Sequence, residues 1–444
     1  MQLEEGEDLL SLSLSVSSSR KRKRSIDQKP FDGSHILLLL QARDRMIKLD
    51  GRRQRYQEGD GRGLHLVRLL LVSAVAVDRR DHRAAAQSLL ELYRTACLSG
   101  DPIHRVAAYF ADGLFARLSP AHSPAPGPSP EEEFSAFTAL YSASPFYQFA
   151  HFTANQAIVE AFEAEESFNA GVLHVVDFDV TYGFQWPSLI QSLSDKASSN
   201  NKPITLRITG FGRSPAELQE TATRLRSFAA GFRNLSFEFK GKLRGAKFDP
   251  TQITAGGTAT VVVNLVFFLQ KLRSHAEVRS TLAAARELNP SLVMLIEREA
   301  GGNPAGFAGS GYLGRFMDCL HYFAAMFDSL NDCLPAESSE RLRIEKNHLG
   351  WEIMRSVTMA DGEEIMRTKK GAMERNGFEG VRLSSRSVSQ AKLLLKIKSH
   401  CSAMDEHGGG GGGFRVCERD DGRAMSLGWQ ERRLITATAW RCAP

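Results

Sequence analysis

The chain has 444 residues, 42% of them hydrophobic, and a formal net charge of +5, which allows a sizeable core but is too mild at this length to mark a nucleic-acid binder. Its six cysteines stand far apart without a Cys-x-x-Cys pair, which argues against a disulfide framework or a zinc site and for a reducing compartment. No apolar run reaches the roughly 18 residues of a membrane span. Leu64–Val77 comes nearest and is interrupted by Arg68, and the acidic start does not read as a signal peptide. The expectation is a soluble intracellular protein without a membrane partner.

Residues 1–62 run from acidic to Ser-rich to Arg/Lys-rich with little periodicity, so a disordered regulatory tail is expected. Leu10-Ser11-Leu12-Ser13-Leu14 alternates apolar and polar, as an extended docking segment does. It resembles the Leu-x-Leu-x-Leu repression motif of plant transcription regulators, which makes Leu10, Leu12 and Leu14 candidate corepressor contacts; a chance pattern in a biased tail is the alternative. Arg20-Lys21-Arg22-Lys23-Arg24 reads as a nuclear localisation signal, against a merely solvated charge run. The apolar run Ile36–Leu40 finds no place in this reading.

From Leu64 to Leu118 the periodicity predicts three helices. Leu64–Val77 is apolar nearly all round and is expected to be buried. Arg83–Cys97 carries an Ala85, Leu89, Leu92, Ala96 stripe, and Asp101-Pro102 supplies an N-cap and first-position proline for the third helix. Ser129-Pro130-Glu131-Glu132 is a capping box opening another, and Ser144–Phe168 continues as helix. These helices, residues 63–168, are expected to pack as a cap on the remainder of the chain.

Residues 169–444 are expected to form an α/β core. Val172–Phe178 is a short valine-rich run, as in a strand buried on both faces. Trp186, Leu189, Ile190 and Leu193 then recur at helical spacing, so strand gives way to helix across a turn holding Asp179, Thr181 and Gly183. Further strands are predicted at 204–208, 235–239, 261–265 and 292–296, and helices from Ser214 to about Ala230 (a second capping box), 276–288, 341–357 and 390–399. Another helix carries Phe316, Leu320, Phe323, Phe327 and Leu330, and the last strands, 414–417 and 425–429, look antiparallel. The glycine-rich stretches 301–311 and 408–413 read as loops. Alternating strands and helices give a mostly parallel, Rossmann-like sheet.

The turn after the first strand sits where such sheets place ligands. A dinucleotide or adenosyl cofactor needs bare backbone there, yet Gly183 stands among Phe178, Val180 and Tyr182. The acidic residue expected about 20 positions on, for the ribose, is missing after Arg207-Ile208-Thr209-Gly210. Asp177 and Asp179 have the spacing of an acid–base pair or half a metal site, but the blander reading, one of them capping the helix near Phe184, is favoured. His174 and His321 read as satisfied structural histidines. No catalytic, metal or cofactor set emerges, and an interaction protein is favoured over an enzyme.

Leu173-His174-Val175-Val176-Asp177 resembles the Val-His-Ile-Ile-Asp signature of the plant GRAS family of scarecrow-like transcriptional regulators. The similarity continues through Tyr182–Pro187, Leu206–Gly210 and His151–Ile158, through Leu64–Leu118 as a first leucine-rich region, and through Ser214 to about Phe248 as a second. Tyr312–Leu330 with Arg341–Ile353 is similar to the Pro-Phe-Tyr-Arg-Glu region, and Met373–Phe378, Leu427–Trp429 and Ala439-Trp440 to the closing Ser-Ala-Trp region. Thr438 stands in place of the family serine, and Lys369-Lys370 near a missing tryptophan. The resemblance implies a nuclear co-regulator of transcription with a helical cap over a methyltransferase-like core lacking the cofactor site. Its implied partners are DNA-binding transcription factors and other GRAS proteins, as homo- or heterodimers, with promoter DNA reached directly or indirectly. A methyltransferase-like enzyme using S-adenosylmethionine and a direct sequence-specific DNA-binding factor are the alternatives.

Overall fold

The structure, a computed structural model, describes residues 33–50, 61–122, 127–245, 250, 258–272, 274–299, 311–335, 337–359, 369–397 and 413–443. Among the described residues, six α-helices precede the first strand: α1 (Gly33–Asp50), α2 (Gly61–Asp78), α3 (His82–Thr95), α4 (Pro102–Leu118), α5 (Pro130–Ala143) and α6 (Pro145–Ala164). Asp101 accepts from the His104 amide at 3.1 Å as the cap of α4. The Ser129 box on α5 is complete: its hydroxyl takes the Glu132 amide and Glu132 takes its own. The box expected at Ser214 is only half made, because Glu217 turns its carboxylate to Arg213 (2.9 Å) instead of the cap amide.

Two helices differ from expectation. Helix α1 lies in the stretch read as tail: its Leu39, Ala42 and Met46 are buried against the cap. Arg43 holds it there with a bidentate pair to Asp112 of α4 (2.8 and 2.9 Å), and Tyr93 of α3 donates to the same carboxylate at 2.8 Å. Helix α2 is not buried all round. Leu66, Leu70 and Ala74 face the core, while His65, Arg68 and Val72 form a solvent stripe at helical spacing.

The sheet runs β3-β2-β1-β4-β5-β9-β8-β7, with β6 on the free length of β9. Strands β1 (Val172–Asp177), β2 (Ile204–Gly212), β3 (Leu235–Leu243), β4 (Thr260–Val266) and β5 (Leu292–Arg298) are mutually parallel. Antiparallel β6 (Phe378–Val381), β7 (Phe414–Arg419), β8 (Ala424–Trp429) and β9 (Arg432–Cys442) extend the sheet beyond β5. Between them lie α7 (Trp186–Asn200), α8 (Pro215–Ala229), α9 (His275–Glu287), α10 (Tyr312–Cys333), α11 (Ser339–Ile344), α12 (Gly350–Thr358), α13 (Lys369–Arg375) and α14 (Ser385–Ile397).

Leu173 and Val175 of β1 point into the larger core, shared with α6, α7 and α8, and Val176 into a smaller one with α9 and α13. Over β2 and β3 this second face carries polar groups instead: Arg207 pairs with Glu238 at 3.1 Å, both accessible. Helices α10 and α12 fold back onto α4. Gly113 leaves room for Val357, and Arg105 reaches Glu345 at 3.0 Å with both side chains buried. A π-helical turn, Glu345–Leu349, joins α11 to α12 at that contact.

Candidate functional site

Strand β1 has β2 on one side and β4 on the other, so the connections diverge at its carboxyl end and a crevice is expected there. Asp177 is the last residue of β1, and Asn264 of β4 stands opposite it in register. Asn264 Nδ2 donates to Asp177 Oδ1 and to Gln185 Oε1, both at 3.1 Å. Gln185 Nε2 donates to Asn155 Oδ1 of α6 (3.1 Å) and Asn264 Oδ1 (3.2 Å). Asn155 Nδ2 returns to the Gln185 carbonyl and the Ser188 hydroxyl, both at 2.8 Å. The side chains of Asn155, Asp177, Gln185 and Asn264 are all buried. Their donors and acceptors are used on one another, which ties α6, the turn, β1 and β4 together.

Neither aspartate caps α7, contrary to expectation. Its N-cap is Gln185, without a side-chain cap bond. Asp177 Oδ1 instead takes the Asp179 amide at 3.2 Å, and Asp179 Oδ1 takes the Thr181 amide at 3.2 Å. The physical reason is charge: Arg244, just past β3, and Lys271, after β4, both pair with the buried carboxylate of Asp179. Burial alone would raise Asp179, but Lys271 and then Arg244 hold it below the usual carboxylate range. Asp177 is raised instead: burial pushes it up to about 7 against the Asn264 hydrogen bond.

Aromatic rings fill the mouth of the crevice. Tyr182 lies 5.0 Å from Phe134 and 5.1 Å from Phe137, and Phe184 lies 5.3 Å from Phe137 and 5.1 Å from Tyr141. Phe178 stacks on Phe211 at 5.4 Å. Beside them, Tyr147 and His348 share a hydrogen bond of 3.0 Å, and Arg298 pairs with Glu352 at 2.5 Å. An adenosyl cofactor or dinucleotide does not fit these residues. Gly183 has a left-handed φ of +69°, yet a Cβ there would lie 2.7 Å from Thr221 Cγ2: the bareness serves the close approach of α8. Gly212 serves the same helix, with Leu218 2.7 Å from its Cβ position. Among the described residues, no three His, Cys, Asp or Glu side chains are placed to hold a metal ion.

Of the signature residues, Leu173, Val175 and Val176 are core, while Asp177 belongs to the network. His174 shares a 3.0 Å hydrogen bond with Thr209, and burial, helped by Arg207, lowers it to about 4, so it is neutral at pH 7. Thr438, in the place of the family serine, donates to the Leu295 carbonyl at 3.1 Å and accepts from the Trp440 indole at 2.8 Å. The tail candidates Leu10, Leu12, Leu14 and Arg20–Arg24 lie outside the described residues, as do positions 301–310 and 408–412 of the glycine-rich stretches. Sequence reasoning missed Asn155, Gln185, Asn264, Arg244 and Lys271 as a set. The visible signal was an asparagine inside the valine run of β4.

A Rossmann-like sheet under a helical cap, with its switch point closed by side chains, defines the class of protein. The chain matches the model of the GRAS domain family over residues 66–441 and belongs to that family of plant transcriptional regulators. It is 34% identical to Scarecrow-like protein 23 of Arabidopsis thaliana, covering 87% of this chain and 92% of that one. To the DELLA protein RGL3 of Arabidopsis thaliana it is 33% identical, covering 86% and 70%. The SCARECROW protein of Ipomoea nil is 34% identical, but this chain spans 48% of its length. The crystal structure of SCL7 from Oryza sativa superposes with a TM-score of 0.69 at 33% identity, over 85% of this chain and 99% of that one.

Proposed function

We propose that this protein is a nuclear transcriptional co-regulator that acts through protein partners and not by catalysis. The partners are DNA-binding transcription factors and other GRAS proteins, promoter DNA is reached through them, and repression runs through Leu10, Leu12 and Leu14. The observation that carries the reading is the closed switch point. The polar groups that an enzyme of this fold would aim at a ligand bond to each other. Entry to the nucleus is assigned to Arg20–Arg24; no helix among the described residues is long and apolar enough to cross a membrane. The domain division that goes with this reading is a regulatory tail joined to a folded unit of cap and α/β core.

Capture from plant nuclei with the full chain as bait tests the partner reading: enrichment of DNA-binding transcription factors is expected, and their absence contradicts it. Replacing Leu10, Leu12 and Leu14 by alanine should abolish reporter repression, and neutralising Arg20–Arg24 should leave the protein in the cytoplasm. The methyltransferase-like alternative has the topology in its favour and the side chains at Gly183 against it.

A further inference from the structure

A groove opens in the helical cap. It encloses about 190 Å³ between α1 and the carboxyl-terminal half of α3. Leu38, Ala42 and Met46 supply its apolar wall from one stripe of α1, and Leu90 faces them from α3. Arg45 and Arg94 stand at its rim. Leu38 is 51% exposed at the mouth. Arg94 pairs with Glu91 at 3.6 Å with both side chains accessible, a contact of little energy. The groove asks for a segment with leucines to fill it and carboxylates to meet its two arginines.

The chain carries such a segment. Glu4, Glu5, Glu7 and Asp8 lead directly into Leu9, Leu10, Leu12 and Leu14. The chain joins α1 at Gly33, just over one turn before Leu38, so the tail enters at the near end of the groove. Residues 15–32 separate this segment from α1, and a flexible chain of that length spans about 25 Å root-mean-square. The stretch of helix from Leu38 to Met46 covers only about 12 Å. Reach is therefore not limiting, and tethering places the segment at an effective concentration in the millimolar range. We propose that residues 4–14 dock in this groove of their own chain, leucines against the α1–α3 wall and carboxylates toward Arg45 and Arg94. Docking withholds Leu10, Leu12 and Leu14 from other partners, a consequence that rests on the corepressor reading above.

The test is disulfide trapping in the full chain, mapped by mass spectrometry at low protein concentration. Gln41 lines the groove, and Asp44 lies on the solvent side of the same helix. Ser11→Cys combined with Gln41→Cys should form an intrachain bond at least tenfold more than Ser11→Cys with Asp44→Cys. Arg45→Glu with Arg94→Glu should lower the yield fivefold or more, and changing Glu4, Glu5, Glu7 and Asp8 to lysine in that background should restore it. Equal yields at positions 41 and 44 would show tethering without docking and overturn the proposal. So would a bond formed only between chains, which would give the groove to a second copy, or a yield indifferent to the two arginines. If the bond forms while the leucine-to-alanine variant represses normally, the docking stands and the corepressor reading fails.

Discussion

The switch point at the end of β1 and the groove between α1 and α3 are built in opposite ways. In the crevice, polar side chains are buried and each finds its partner in the chain, with aromatic rings closing the mouth. In the groove, Leu38 stands half exposed and Leu90 partly exposed beside buried Ala42 and Met46, with arginines on the rim. A buried polar group whose bonds are made internally has nothing left for a ligand, so its work is architectural. An exposed leucine beside a cavity has its burial still to gain. The buried polar groups at the end of β1 thus tie α6, β1 and β4 together, whereas the groove presents accessible apolar and cationic side chains.

The comparison breaks most visibly at its buried charges. Arg105→Ala should destabilise the protein by about 3 kcal/mol in denaturant unfolding, because buried Glu345 would lose the nearer of two arginines, Arg341 staying at 3.6 Å. Asp177→Asn acts through pH. The folded carboxyl is raised to about 7, so its stabilising contribution is full below the unfolded value near 4 and is lost as pH rises toward 7. Removing it should take away a falling slope of about 1.4 kcal/mol per pH unit across that window. His151, lowered to about 3 by burial, and His174, lowered to about 4 by burial and Arg207, act in the other sense: their contribution falls as pH drops below the ordinary imidazole range. The Asp177→Asn curve should therefore rise more steeply than wild type between about pH 4 and 6.5.

Gly183→Ala should cost about 1–3 kcal/mol through the Thr221 contact and the left-handed backbone, and Thr221→Ser should recover part of it. Arg45→Glu with Arg94→Glu, at the groove, should change stability by no more than about 0.5 kcal/mol each, as accessible surface positions do. Arg105→Ala and Arg45→Ala then separate a buried charge of the cap from a charge on the groove rim in a single denaturation series.

The strand-to-helix change at the first turn was legible because valine-rich runs and helical spacing are local signals, and the capped helix starts at Asp101 and Ser129 were local for the same reason. What connects distant parts of the chain was not legible. Asn155, Gln185 and Asn264 meet only after α6, the turn and β4 are packed, and nothing in their spacing says so. Local rules assign Glu217 and one of the two aspartates to caps, and the stronger pull of nearby cations on Glu217 and Asp179 overrides them. Helix α1 escaped notice because its anchor is one arginine whose partner lies 69 residues on. The bare backbone at Gly183 was visible in sequence, but the helix it admits was not.

The most direct measurement is calorimetric titration of S-adenosylmethionine into the full-length protein. A switch point closed by its own asparagine, glutamine and aromatic side chains predicts no saturable heat at millimolar ligand. A stoichiometric isotherm with tight binding, abolished by a bulky residue at Gly183 in a variant that still folds, would contradict it and return the crevice to chemistry.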